Sequence, residues 1–124
     1  GEQIVSLVQQ HPATAAKFIS FNDGPIDIDR ETAVVVNATS LGTLKPTAPL
    51  PVKLDSLGTK VVVADVAYNV SRTWITQQAA SRGCHVIDGL SLYVWQTALA
   101  LTWWTGVMPD TAAMREAAEE FLGI

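Results

Sequence analysis

The sequence predicts an α/β fold with a mainly parallel sheet flanked by helices. Two segments, 32–38 (TAVVVNA) and 60–66 (KVVVADV), are apolar without alternation, which is typical of strands buried on both faces. Segments with helical periodicity alternate with these strands, as expected where helices connect parallel strands. The chain has 124 residues, of which 48% are apolar and 16% charged. We therefore expect residues 1–124 to form a single domain with its own hydrophobic core.

In the first half of the chain, the sequence predicts short elements separated by turns. Residues 2–10 have the apolar spacing of a short helix that Pro12 ends. Residues 16–21 (AKFISF) are rich in β-branched and aromatic side chains, which predicts a strand ended by the turn at 22–24 (NDG). Three prolines between residues 43 and 59 exclude a long helix there, so we expect mostly loop.

End signals define two helices in the second half of the chain. A helix is predicted over 71–82, with Ser71 as N-cap and Gly83 as C-cap. A short strand at 84–88 follows, and an amphipathic helix is predicted over 110–122. The side chains expected to face inward are Trp74, Ile75, Ala79 and Ala80 in the first helix, and Met114, Ala117, Ala118, Phe121 and Leu122 in the second.

Residues 89–109 carry no charge and are about as long as a membrane span. Several serine, threonine and glutamine residues interrupt the apolar sequence, and the flanking residues are Asp88 and Asp110 rather than basic anchors. We therefore expect a helix over about 90–104 that is buried against the sheet.

Charge and cysteine content exclude several classes of protein. The net charge is −4 and the eight Lys and Arg residues are scattered, which disfavours nucleic-acid binding. Cys84 is the only cysteine, so no internal disulfide can form, and no Cys/His spacing suits a metal. Residues 1–12 lack the features of a secretory signal. We expect a cytoplasmic protein without a metal site.

Polar or small residues follow each strand of the predicted sheet. They are Asn37-Ala38-Thr39-Ser40, Tyr68-Asn69 and Asp88-Gly89. In open parallel sheets, ligands bind beyond the carboxyl ends of the strands. If the strands are parallel, these loops meet along one edge and form a pocket there.

The residues alone leave the chemistry of this edge open. No G-x-G-x-x-G or Walker sequence is present, and Ser40, Asp65 and His85 lack the G-x-S-x-G context of a hydrolase nucleophile. Gln96 is the only amide in the uncharged helix. If buried, it either satisfies a neighbouring backbone group or binds a hydroxylated ligand, and both readings stand equally.

Three motifs in order resemble the carboxyl-terminal part of shikimate dehydrogenases. They are VVNATSLG (35–42), VVADVAYN (62–69) and DGLSLYVWQ (88–96), followed by the Trp-x-Gly-like turn at 104–106. The family has an Asn-Ala-Thr-Ser loop, a strand ending Asp-x-x-Tyr and an Asp-Gly-Leu-Gly-Met-Leu-Val-x-Gln helix. The resemblance covers residues 33 to 110 and implies the second half of a Rossmann-type dinucleotide-binding domain plus a C-terminal helix.

The resemblance also implies an activity and site residues. Shikimate dehydrogenases reduce 3-dehydroshikimate to shikimate with NADPH, in aromatic amino-acid biosynthesis. Tyr68 and Gln96 match the tyrosine and glutamine that hydrogen-bond shikimate. The positions that match cofactor-binding residues are Asn37, Thr39, Ser40, Val66, Gly89 and Leu92.

The sequence departs from the family at several points. Ser91 replaces the usual glycine, and Tyr93 and Trp95 are bulkier than the usual residues, so a quinate-using relative stays open. The family's catalytic lysine and aspartate, in an N-terminal substrate domain, and its glycine-rich turn have no counterpart here. We expect no catalytic residue in this chain, and we expect it to be inactive without a missing N-terminal half or another chain.

An alternative of a different class is a non-catalytic binding or assembly module that retains half of a cofactor fold. Such a half-sheet would expose a strand edge and apolar surface, which favour association into an oligomer. This alternative predicts a stable oligomer without turnover.

Overall fold

This computed structural model describes residues 1–11 and 13–124. They contain two parallel sheets and four α-helices. In chain order the elements are α1 (Glu2–Val8), a 3-10 turn (Phe21–Asp23), β1 (Ile26–Asp27), β2 (Val34–Asn37), β3 (Val52–Lys53), β4 (Val62–Asp65), α2 (Trp74–Ser81), β5 (His85–Ile87), α3 (Gly89–Thr105) and α4 (Thr111–Leu122). The predicted helix stop at Pro12 lies outside the described residues.

The central sheet has the strand order β2-β4-β5, and all its strands are parallel. Val63 in β4 lies between Val35 of β2 and Val86 of β5. The two-residue strands β1 and β3 form a separate parallel pair. The α/β class with a mainly parallel sheet is therefore confirmed.

The hydrophobic core lies between the central sheet and α2. Helix α2 packs against β4 and β5. Val63 and Ile75 are the largest apolar side chains that are fully buried. The rest of this cluster comprises Leu54, Leu57, Val61, Ala79 and Cys84, so the proline-rich loop also contributes to the core.

The prediction that Ser71 caps α2 was wrong by two residues, because Thr73 is the N-cap. The backbone N–H of Thr73 donates to Thr76 Oγ1 at 3.0 Å, and the Thr73 side chain completes a capping box. Ile75 and Ala79 are buried as predicted, whereas Ala80 is exposed.

Residues 16–21 do not form the predicted strand. Phe18, Ile19 and Phe21 are exposed, and no strand of the described chain pairs with them. The Ser20 side chain instead accepts a hydrogen bond from the Asn22 N–H and starts the 3-10 turn. The β-propensity of a side chain reflects mainly its packing against neighbouring strands. Within the described chain, residues 16–21 have no such neighbours, so their β-branched and aromatic side chains do not produce a strand.

The two apolar strands differ in burial. β4 is buried on both faces, as predicted, but Val34 and Val36 of β2 are each 56% exposed. α2 covers the face that carries Val35, while the described residues leave the opposite face of β2 open. The prediction of two-sided burial was therefore wrong for β2.

The uncharged helix α3 is buried along one stripe only, formed by Leu90, Val94 and Ala98. Tyr93 and Trp95 are about half exposed and Trp103 is 91% exposed, so the expectation of a helix buried against the sheet was wrong for all but this stripe. No helix among the described residues is both long and apolar enough to span a bilayer.

Helix α4 begins at the N-cap Asp110, whose carboxylate accepts from the N–H groups of Ala112 and Ala113. It packs against α3. Phe121, predicted to face inward, is 89% exposed, because this end of the apolar stripe extends beyond the residues that cover it.

Candidate active-site edge

The carboxyl ends of the three parallel strands meet at one edge of the central sheet. Asn37 at the end of β2 pairs with Asp65 at the end of β4, and Ala64 pairs with Ile87 at the end of β5. The polar segments that follow these strands therefore lie along the same edge, as the sequence predicts.

Asp65 organises this edge from inside the protein. Its side chain is 1% exposed and accepts hydrogen bonds from Thr73 Oγ1 at 2.7 Å, Ala67 N at 3.0 Å and Asn37 Nδ2 at 3.1 Å. Because these donors satisfy the buried carboxylate, it can join the loop after β2 to the start of α2. In the sequence, an Asp at the end of an otherwise apolar strand was the only indication of this network. Nothing in the sequence indicated Thr73 as its partner.

Asn37 uses all of its hydrogen-bonding capacity within the protein. Besides Asp65, its Nδ2 donates to Leu41 O at 3.1 Å, and its Oδ1 accepts from Thr39 N at 3.2 Å and Thr39 Oγ1 at 2.7 Å. Gly42 ends the turn with φ +97°, a conformation that favours glycine. The N-A-T-S-L-G sequence is thus a hydrogen-bonded turn that leaves Ser40 exposed.

Gly89 lies where the first turn of α3 meets the loop after β4. A Cβ at this position would lie 2.3 Å from Ala67 O and 2.8 Å from Tyr68 N. Only glycine allows this approach, because both neighbours are backbone atoms. Val66 is exposed and Leu92 is half-buried, so both leave apolar surface accessible near this contact.

Tyr68 and Tyr93 stack on each other beside this contact. Their ring centroids are 5.1 Å apart and the ring planes are 18° from parallel. Gln96 follows Tyr93 by three residues on α3 and is exposed. Because Gln96 is exposed, water can satisfy its amide, and it has no need of an internal partner.

A charged cluster fixes the start of α3. The Asp88 carboxylate caps the helix by accepting from Ser91 N at 2.6 Å, and Arg115 of α4 donates to Asp88 Oδ1 at 3.2 Å and to Ser91 Oγ at 2.8 Å. Partial burial by itself would raise the pKa of Asp88, but these hydrogen bonds and the Arg115 charge together lower it below its ordinary value. No pattern in the sequence predicted the hydrogen bond between Arg115 and Ser91.

The structure does not bring Ser40, Asp65 and His85 together as a hydrolase triad. His85 pairs with Val62 at the amino end of β4, whereas Asp65 is at its carboxyl end. Three residues of strand separate these positions by roughly 10 Å. Among residues 1–11 and 13–124, no group of three or more His, Cys, Asp or Glu side chains could hold a metal ion.

An open cleft of about 640 Å³ lies beside α2 and β5. It is lined by Ser71, Arg72, Thr76, Gln77, Ala80, Val86 and Asp88. Neither Tyr68 nor Gln96 lines it, so this cleft is separate from the two side chains matched to substrate binding.

Comparison with known proteins relates this edge to one family. Residues 89–119 match the family model of the shikimate 5'-dehydrogenase C-terminal domain. The NADP-dependent shikimate dehydrogenase of Thermus thermophilus is 41% identical over 101 residues, which are 81% of this chain and 38% of that protein. The chain belongs to the shikimate dehydrogenase family. It corresponds to the family's C-terminal region and spans about two fifths of that relative's length.

Solved structures agree with this membership. A 5-ketofructose reductase from Gluconobacter superposes with a TM-score of 0.86 at 34% identity, covering 97% of this chain and 43% of that one. The Thermus thermophilus shikimate dehydrogenase in complex with NADP(H) and shikimate superposes with a TM-score of 0.71 at 28% identity, covering 96% and 42%. The solved structures that resemble this chain therefore have different substrates in their names.

Proposed function

We propose that residues 1–124 are the C-terminal part of the NADP-binding domain of a shikimate dehydrogenase. The complete enzyme would reduce 3-dehydroshikimate to shikimate with NADPH. The observation that carries this proposal is the meeting of the three family motifs at one sheet edge, with Tyr68, Gly89 and Gln96 on adjoining segments. The catalytic lysine and aspartate would be supplied from outside this chain.

The residues at this edge fit the nicotinamide end of the cofactor. Val66 and Leu92 leave apolar surface accessible, and the exposed Thr39 and Ser40 lie on the adjacent turn. Asn37 holds that turn in shape through its internal hydrogen bonds, so we assign it a positioning role rather than a direct contact. When bound, NADPH supplies the hydride.

Tyr68 and Gln96 orient the substrate in this proposal. Both side chains are exposed and can donate hydrogen bonds to the hydroxyl groups of shikimate. Their effect is to hold the reacting carbon in place for hydride transfer, which is positioning rather than acid–base chemistry.

The test is NADP-linked oxidation of shikimate by the full-length protein that contains this sequence. Gln96→Ala should raise the KM for shikimate about tenfold, which corresponds to the loss of one hydrogen bond. Gln10→Ala, at an exposed glutamine just after α1, serves as control and should leave KM unchanged. An unchanged KM in Gln96→Ala would remove Gln96 from the site, whereas no shikimate turnover by the wild type would overturn the proposed function.

A second candidate function is the reduction of a sugar ketone. It is favoured by the superposition on 5-ketofructose reductase, which covers 97% of this chain at a TM-score of 0.86. Turnover of fructose but not of shikimate would support it. A stable oligomer that turns over neither would instead support the non-catalytic assembly module.

We also propose that the protein is cytoplasmic. We propose in addition that this chain associates with the rest of the enzyme or with another copy of itself. The buried free thiol of Cys84, the only cysteine, suits a reducing compartment. The exposed Trp103 and Trp104 offer apolar surface for association.

A further inference from the structure

Tyr93 brings a second phenol to the candidate substrate site. It stands where the family motif has leucine, and its ring stacks on that of Tyr68. Leucine can neither stack in this way nor form a hydrogen bond. The substitution therefore changes both the shape and the hydrogen-bonding capacity of the surface around Tyr68.

Both phenols are available to a ligand. Tyr68 is 46% exposed and Tyr93 is 48% exposed. Neither hydroxyl forms a hydrogen bond with the residues that the structure describes, 1–11 and 13–124. The stack restrains both rings through their faces and leaves the two hydroxyl groups to water or to a substrate.

Gln96 lies on the same face of α3 as Tyr93. Residues three apart on a helix are surface neighbours, with Cβ atoms about 5–6 Å apart. Gln96 is therefore next to Tyr93 on the surface of α3, and Tyr68 contacts Tyr93 through the stack. Three neutral hydrogen-bonding groups thus lie together, which suits a ligand with several hydroxyl groups.

We propose that Tyr93 is a specificity-determining residue that selects substrates with at least one hydroxyl group more than shikimate. The substrate class is a polyhydroxylated alcohol and its ketone, of which quinate and fructose are examples. A site built to hydrogen-bond a hydroxyl group discriminates strongly against an analogue that lacks it. This inference rests on the proposed function, because it concerns the substrate of the same site.

The experiment compares oxidation of shikimate, quinate and fructose by the full-length protein with NADP. Tyr93→Phe keeps the stacked ring and removes only the hydroxyl group. We expect the ratio of kcat/KM for the better hydroxyl-rich substrate to that for shikimate to fall at least tenfold, with an unchanged Tm. Tyr93→Leu restores the family residue and should shift the ratio further towards shikimate. Phe121→Leu, at an exposed aromatic position of α4 outside the candidate site, is the control and should leave the ratio unchanged.

Each outcome bears on a different claim. An unchanged ratio in Tyr93→Phe, or a wild type that prefers shikimate to both other substrates, would overturn the inference and leave the proposed function standing. A wild type that oxidises no shikimate would overturn the proposed function, and one that oxidises none of the three substrates would overturn the inference as well.

Discussion

Asn37 shows how one side chain can serve a binding site without facing the ligand. It joins the ends of β2 and β4 through Asp65 and holds the following turn through Leu41 and Thr39. Asn37 and Asp65 are buried, so losing the hydrogen bond between them removes one donor from a carboxylate that is closed off from water. The effect of Asn37 on ligand binding is therefore exerted through the shape of the turn.

Asn37→Ala should lower the free energy of unfolding by about 1–3 kcal/mol, because Asp65 and Leu41 each lose a donor. Urea unfolding measures this change. Ser40→Ala, at an exposed position of the same turn, is the control and should change stability by less than about 0.5 kcal/mol. Equal effects of the two substitutions would show that the Asp65 network does not stabilise the turn.

At the scale of the element, the first turn of α3 combines several stabilising features. Asp88 caps the helix and places negative charge at its amino end, where the helix dipole favours it. Arg115 ties this cap to α4 and also bonds Glu119 through its Nε at 2.8 Å. The start of α3, which carries Gly89 and Leu92, is thereby fixed to the C-terminal helix.

The lowered pKa of Asp88 predicts a dependence of stability on pH. A carboxyl group whose pKa is lower in the folded state stabilises the protein above its unfolded value of about 3.9, and this contribution is lost as pH falls through the folded pKa. Asp88→Asn should therefore be less stable than the wild type at pH 7, and the difference in Tm should shrink as pH falls below about 4.

Asp110→Asn at the cap of α4 is the control for this measurement, since no salt bridge to Asp110 is present in the described part of the chain. Both substitutions alter a helix cap, but only Asp88→Asn removes an ion pair with Arg115. A constant difference for Asp88→Asn between pH 7 and pH 3 would contradict an ionic contribution from Asp88.

At the scale of the whole molecule, the most apolar segment of the sequence is not the centre of the core. The core lies between the central sheet and α2, around Val63 and Ile75, whereas the second half of α3 exposes two tryptophans. Apolar surface contributes to stability only where it is removed from water. Large exposed apolar side chains of this kind are typical of surfaces that other parts of a protein cover.

Ile75→Ala should destabilise the protein by about 2–5 kcal/mol, because it opens a cavity in this core. Trp103→Ala should change the free energy of unfolding by less than about 0.5 kcal/mol, because the side chain is 91% exposed. Urea unfolding of both variants, with Ile75→Val as the conservative control, measures the contrast. A loss at Trp103 as large as that at Ile75 would mean that another part of the protein covers α3.

Sequence patterns determined the class of the fold and most of its elements, because local periodicity and end signals act over a few residues. The apolar strands β2 and β4, the uncharged helix α3 and the amphipathic helix α4 were all predicted from such patterns. The polar residues at the strand ends also predicted the edge at which the family motifs meet.

Only the tertiary structure decided which apolar faces are covered and which polar groups are already partnered. Val36 and Phe121 fit buried patterns but are exposed, while Asn37 and Asp65 are enclosed in one hydrogen-bond network. The stack of Tyr68 on Tyr93 joins a loop to a helix 25 positions further along the chain. Such contacts depend on how distant segments pack, and no local pattern in the sequence specifies them.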